Sequence, residues 1–135
     1  MNTILNYIPQ RPPFVMIDAL VAADKQHAIT GFKIKADNVL VDEKYFTEPG
    51  LIENMAQTAA AGSGYLAAQE LQNPKVGFIG AVSKLKIIRL PEVDSNIKTE
   101  VLYQSQFMNA QIVTAKIFQN EEEIASCELK IFIQN

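Results

Sequence analysis

The chain has 135 residues, 48% hydrophobic and 20% charged, with a net charge of −3 and a pI near 5.1. This balance fits one soluble globular domain over residues 1–135 and excludes a disordered chain or the clustered basic surface of a nucleic-acid binder. The single cysteine, Cys127, excludes an internal disulfide framework and fits a reducing compartment, and in "IASCELKIFI" it reads as a small buried hydrophobe.

The first residues lack a basic region followed by a long apolar one, so no signal peptide is read, and no segment approaches the roughly 20 apolar residues of a membrane span. A cytoplasmic location and no membrane partner are expected. "ILNYI" reads as a short helix ended by "RPP", because proline removes a backbone donor and restricts the residue before it. "FVMIDALVAA" and "HAITGFKIKA" read as two strands around the turn "DKQ". "DNVLVDEKYF" is ambiguous, part strand and part loop. A helix is expected from about Pro49 to Gln72, with Thr47 as a cap, Pro49 in the first turn and "QNP" as the stop. Four strand-like segments follow, "VGFIGAVSKLKII", "SNIKTEVLYQSQF", "AQIVTAKIFQN" and "EEIASCELKIFIQ", joined by short turns. One helix among many strands predicts an α+β fold with a largely antiparallel sheet.

The helix is unusual because it carries Glu53 near its start and then no charge until Glu70. Ile52, Met55, Ala56, Ala59, Ser63 and Leu66 occupy one side. Glu53, Gln57, Ala60, Ala61 and Gly64 occupy the other. A helix without a charged face is usually buried, and the alanines and glycines allow close backbone approach. A single sheet curled around it would leave part uncovered, which predicts a partner subunit and a symmetric dimer.

Three segments carry a family resemblance. "IPQRPPFVMIDAL", "GLIENMAQTAAA" and "GFIGAVSKLKIIRLPEVD" resemble, in order and spacing, the N-terminal segment, the central helix and the following strand of the 3-hydroxyacyl-[acyl-carrier-protein] dehydratases. The resemblance covers nearly the whole chain. It implies the hotdog fold, a long central helix wrapped by a six-stranded, mainly antiparallel sheet and paired into a homodimer. It also implies a role in fatty-acid or polyketide-type biosynthesis, on acyl thioesters of acyl carrier protein.

Such dehydration needs a base for the proton beside the carbonyl, an acid for the departing hydroxyl, and donors for charge on the thioester oxygen. In the family a loop histidine of one subunit and the helix glutamate of the other share the proton work. The glutamate aligns with Glu53 and the glutamine one turn later with Gln57. Gly50 falls where amides at the helix start serve the thioester oxygen, as the helix dipole favours. Phe78, Ile79 and Gly80 are candidates to line the acyl channel. Lys84, Lys86 and Arg89, with Arg11 beside them, are candidates to dock an acidic carrier protein. The bland readings stand beside these: Glu53 also complements the helix dipole, and alternate lysines are ordinary on a solvated strand face.

The chain departs from the family at the histidines. The loop position falls near Val39, and Gln10 replaces the histidine of the N-terminal segment. The one histidine, His27, lies in the predicted turn "DKQHAIT", so the ordinary pair is incomplete within this chain. Three readings follow: a dehydratase using Glu53 alone or with help from Tyr45, Glu48 or Asp42; a non-catalytic acyl-thioester binder or the partner of a histidine-bearing homologue in a heterodimer; or an acyl thioesterase. No His, Cys and carboxylate cluster has metal-ligand spacing and no glycine loop cradles phosphate, so no metal or other cofactor is expected.

Overall fold

A computed structural model describes residues 4–72 and 76–134. Eight strands and one long helix follow a 3₁₀ turn at Ile4–Asn6: β1 (Ala19–Ala23), β2 (His27–Lys33), β3 (Val41–Asp42), β4 (Tyr45–Phe46), α1 (Glu48–Gln69), β5 (Val76–Ile87), β6 (Asn96–Phe107), β7 (Ala110–Gln119) and β8 (Glu122–Gln134). β3 and β4 form a separate two-stranded hairpin. The other six make one sheet in the order β1-β2-β6-β7-β8-β5, antiparallel throughout. The predicted α+β architecture is present: a long helix lies across one face of a six-stranded sheet.

Period-two patterning builds the inner face of that sheet. Ile97, Thr99 and Val101 of β6, Val113, Ala115 and Ile117 of β7, and Cys127, Leu129 and Ile131 of β8 are all buried, with outward residues between them. Leu51 and Met55 of α1 complete the core from above, each fully buried. Each such side chain contributes roughly 1.5–3 kcal/mol by leaving water. Burial pushes the Cys127 thiol up to about 11, and the neighbouring charge of Glu128 adds to it.

The N-terminal third differs from the sequence reading. "FVMIDALVAA" is strand only from Ala19, and "HAITGFKIKA" only as far as Lys33. Residues 14–16 find their backbone partners in helix side chains: Gln57 accepts from the Met16 N–H and donates to the Phe14 carbonyl, and Asn54 donates to the Met16 carbonyl. A segment satisfied this way has no ladder to join.

The ends of α1 also differ in mechanism. Thr47 holds the N-cap position with an extended backbone, but its hydroxyl donates to the Leu40 carbonyl and caps nothing. At the other end Leu71 adopts a left-handed φ of 58°, the Leu71 N–H bonds to Ala68 O and the Gln72 N–H to Ala67 O. That pair of bonds is a Schellman ending. Asn73 and Pro74, the rest of the expected stop, lie outside the described residues.

Candidate functional site

The two flanks of α1 are built from different chemistry. On the sheet-facing flank Asn54 Nδ2 donates to Met16 O at 2.7 Å and its Oδ1 accepts from the Thr99 hydroxyl. Thr58 donates to Asn54 O at 2.8 Å, which leaves its oxygen to accept from Thr30 at 2.7 Å. These four residues are wholly buried, and every one is paired. Nearby, the Tyr103 hydroxyl donates to Ala59 O at 2.7 Å, and burial pushes its pKa up to about 12.

The opposite flank is a stripe. Glu53, Ala56, Ala60, Ser63, Ala67 and Glu70 recur at three- and four-residue spacing, which places them on one helix face over about 25 Å. They line one wall of a cavity of about 470 Å³. Gly77, Phe78 and Ile79 of β5, with Ile131 and Ile133 of β8, supply apolar lining from the sheet. Pro9 and Gln10 belong to the lining with Glu53. Small side chains on the helix are what make the groove; larger ones would fill it.

Glu53 is half-buried and held by its neighbour one turn on. Gln57 Nε2 donates to Glu53 Oε2 at 2.8 Å and to Phe14 O at 2.8 Å, while Gln57 Oε1 accepts from the Met16 N–H at 2.7 Å. The Met16 donor and the Phe14 acceptor together fix which end of the amide is oxygen. Gln57 therefore presents an N–H to Glu53 Oε2. Oε1 of Glu53 is the oxygen left for a ligand.

The remaining sequence candidates fall as follows. Gln57 and Gly64, expected on one side with Glu53, are buried against the N-terminal segment; a Cβ on Gly64 would stand 2.1 Å from Tyr7 O. Gly50 is buried at the helix start with the Phe46 ring 2.5 Å from where its Cβ would be, and it does not line the cavity. Phe78 and Ile79 line it. Gly80 does not; a Cβ there would meet the Phe132 ring at 2.1 Å. Lys84 sits at a bulge with φ of 54° and pairs with Glu128 at 3.5 Å, and Arg89 pairs with Glu122 at 3.7 Å. Lys86 has no ion pair among the described residues. Arg11 donates twice to backbone, to Ile8 O and Gln10 O.

Tyr45, Glu48 and Asp42 are exposed and lie outside the cavity, as does Val39. His27 begins β2 and bonds Asp24 Oδ1 at 2.9 Å, again away from the cavity. Hydrogen bonds from Gln26 and His27 hold the Asp24 carboxyl below the usual carboxylate range. Among the described residues no group of His, Cys, Asp and Glu could hold a metal ion, and no helix is long and apolar enough to cross a membrane.

Residues 2–135 match the ApeP-like family, described as ApeP dehydratase. The chain belongs to that family. A curated relative of the ApeP-like chain, the 3-hydroxyacyl-[acyl-carrier-protein] dehydratase FabZ of Clostridium kluyveri, is 29% identical over 139 residues, covering 98% of this chain and 94% of the relative. A chain of the dehydratase heterocomplex ApeI:P from Xenorhabdus doucetiae has the same fold, with a TM-score of 0.87 at 15% identity over 100% of this chain and 93% of that one. A hypothetical thioesterase from Streptococcus pneumoniae, solved with coenzyme A, reaches a TM-score of 0.69 at 11% identity over 87% of this chain and 85% of that one. The fold is the hotdog, and the family is dehydratase-like. Within it the ApeP-like chain has a glutamate on the cavity wall and no histidine among the residues that line it.

The stripe from Glu53 to Glu70 is present in the sequence as three- and four-residue spacing, but it cuts across the two helix sides expected there, taking Ala56 and Ser63 from one and Glu53 and Ala60 from the other. In the sequence Gln10 stands out only as the replacement of a histidine, whereas the fold places it in the cavity lining.

Proposed function

We propose that this chain is the glutamate-bearing half of a dehydratase acting on 3-hydroxyacyl thioesters of acyl carrier protein, with the missing histidine supplied by a homologous partner subunit. The observation that carries the reading is the placement of Glu53: a carboxylate on the wall of a largely apolar groove, fixed by Gln57, with the other lining carboxylate, Glu70, about 25 Å further along the same helix face and no histidine in the lining. The name of the ApeI:P neighbour, a dehydratase heterocomplex, supports an assembly of unlike subunits. A homodimer is the competing arrangement.

In this reading the partner's histidine removes the proton from C2, and the C–H electron pair becomes the C2–C3 π bond. The C3–O bond breaks, and the oxygen takes a proton from Glu53 Oε1 to leave as water. Positioned acids and bases contribute typically 10²–10⁴-fold each. The Gly50 N–H precedes the helix ladder, whose first bond runs from Leu51 N–H to Thr47 O. Gly50 lies outside the groove of the single chain, so its proposed role as donor toward the thioester oxygen belongs to the site as the partner subunit completes it. Phe78 and Ile79 line the path of the acyl chain. Lys86, with Lys84 and Arg89 beyond their ion pairs, forms the proposed docking face for an acidic carrier protein.

Incubation with a 3-hydroxyacyl carrier protein, followed by mass spectrometry, tests this. The expected result is little or no enoyl product from the chain alone, product with a co-expressed histidine-bearing homologue, and loss of at least 100-fold on Glu53→Gln in that complex. Full activity of the Glu53→Gln complex would remove Glu53 from the reaction. Free acid in place of enoyl product would assign a thioesterase.

A further inference from the structure

The outer face of the sheet, turned away from α1, carries an aromatic row. Residues directly opposite one another on antiparallel strands share a face, and the ladder sets Phe107 of β6, Ala110 of β7, Phe132 of β8 and Phe78 of β5 side by side. Phe132 alternates with buried Ile131, which fixes the row on the outer face. Phe107, Phe132 and Phe78 are 75%, 37% and 56% exposed, and Phe78 also borders the cavity at the sheet edge. An aromatic side chain carries roughly 150–250 Å², so the row leaves on the order of 300 Å² of ring surface in water, a patch size that marks interaction sites.

The turn beside the row adds to it against local preference. Met108 is 82% exposed with a left-handed φ of 57°, although asparagine, which takes this conformation more readily, is the next residue, Asn109. Within the row, the Phe132 ring lies against the place a Gly80 side chain would occupy on β5. It therefore leans away from Ala110, the one small residue between the rings.

We propose that this row is the contact surface for a second copy of the chain, packed sheet against sheet. The order of the row argues for its own copy. From β6 to β5 it runs large, small, large, large, and a two-fold axis along the strands between β7 and β8 reverses it. Phe132 of each copy then sits over Ala110 of the other, and Phe107 meets Phe78. The next two rows obey the same rotation. In Ser105, Ile112, Lys130 and Ala81 it lays the Lys130 stem on Ile112, while the ammonium stays 5.4 Å from its own Phe132 ring centre. In Leu102, Thr114, Glu128 and Ser83 it brings Glu128 opposite Thr114, whose oxygen accepts from Gln104 and whose hydrogen is free to donate. No like charges meet in these three rows. Aligned sheets cross at about 30°, so the contact opens toward Lys86, one row further on, and leaves it to the carrier protein. The contact uses neither the β5 edge nor the thioester reading.

The patch is smaller than the roughly 800 Å² per partner of a standard interface, so half-association is expected on the order of 100 µM and none at low micromolar concentration. Sedimentation of the full chain from about 10 to about 500 µM tests it, for wild type, Phe107→Asp, Ala110→Glu and a control, Leu71→Asp, whose side chain is 95% exposed outside the row. Wild type should show an association step in that range, weakened at least about 10-fold by both row variants and within about twofold in the control. Phe107→Asp changes a largely exposed side chain and should melt within about 2 °C of wild type. Pairing through the β5 edge gives an earlier, separate step that this variant leaves in place. The two-fold arrangement is read by cross-linking. A mixture of Phe107→Cys and Phe78→Cys chains treated with a short bismaleimide should give more linked pairs than either chain alone, whose own thiols would stand about 14 Å apart across three strand spacings. No step up to 500 µM in wild type, or equal loss with Leu71→Asp, overturns the proposal. Flotation of wild type with phosphatidylcholine–phosphatidylglycerol vesicles, lost in Phe107→Asp and without a sedimentation step, assigns the row to a lipid surface and overturns it too. Either cysteine chain linking to itself as readily as in the mixture overturns the match of Phe132 to Ala110.

Discussion

Glu53 and Asn54 are consecutive residues of one helix, and they face opposite problems. Asn54 is fully buried, with its oxygen and nitrogen both bonded in a closed polar cluster. Glu53 is half-buried on a cavity wall with one of its two oxygens bonded by Gln57. The difference shows how α1 serves as both scaffold and site. Closed hydrogen bonding on one flank fixes the helix, and that lets the other flank be lined with alanine and serine between the carboxylates of Glu53 and Glu70 at little structural cost.

The largest effect expected from this contrast comes from exchanging the neighbours. Asn54→Leu strands the Met16 carbonyl and the Thr99 hydroxyl in the core, and each orphaned group costs about 1–3 kcal/mol, so urea unfolding should show a loss of roughly 3 kcal/mol. Glu53→Leu removes one partly exposed hydrogen bond and should change stability by less than about 1 kcal/mol. Similar losses for the two would mean that the flanks are not divided between holding and working.

A second, smaller effect separates the sealed flank by pH. Tyr103 and Cys127 keep their protons in the fold to about 12 and about 11, against ordinary values of 10.0 and 9.0. Between those limits the unfolded chain has released protons that the folded chain still holds, so the unfolded state gains as pH rises. Stability is therefore complete below about pH 9 and falls as pH climbs from 9 to 12, by on the order of 2 kcal/mol after allowing for partial exposure. Urea midpoints at pH 8, 9.5 and 11 follow it, and Tyr103→Phe should flatten the upper part of the decline. A midpoint constant to pH 11 would show that water reaches both groups.

How much of this the sequence displayed varies along the chain. From Val76 onward the strands stand close to where alternation and turn residues put them; β6, β7 and β8 pair in chain order, and β5 joins the sheet through β8. The helix was evident from its length without breakers. Residues 14–16 depart from the expected strand because the partners of Phe14 and Met16, Asn54 and Gln57, lie some forty positions away and are side chains. The family glutamate is legible from its motif, whereas the wall that faces it is not, because β5 and β8 come together there only through the sheet order.

The smallest effect on stability is the most informative about assembly. Val113, Leu129 and Val82 lie in one row across β7, β8 and β5, each directly opposite the next. The first two are fully buried, while Val82 is 37% exposed and Ile79, opposite buried Ile131 on the same strand, 39%. The face that α1 seals at Leu129 is thus open one strand further out, on an edge strand whose outer side no other strand pairs among the described residues. Long apolar edges of this kind are rarely left uncovered in soluble proteins. If a second hotdog subunit covers β5, Val82→Lys should leave the unfolding free energy of the isolated chain within about 0.5 kcal/mol, the ordinary range for a surface change, and abolish association in sedimentation. A loss of more than about 2 kcal/mol in the single chain would mean that its own fold already covers β5, and association that survives the lysine would move the partner to another face.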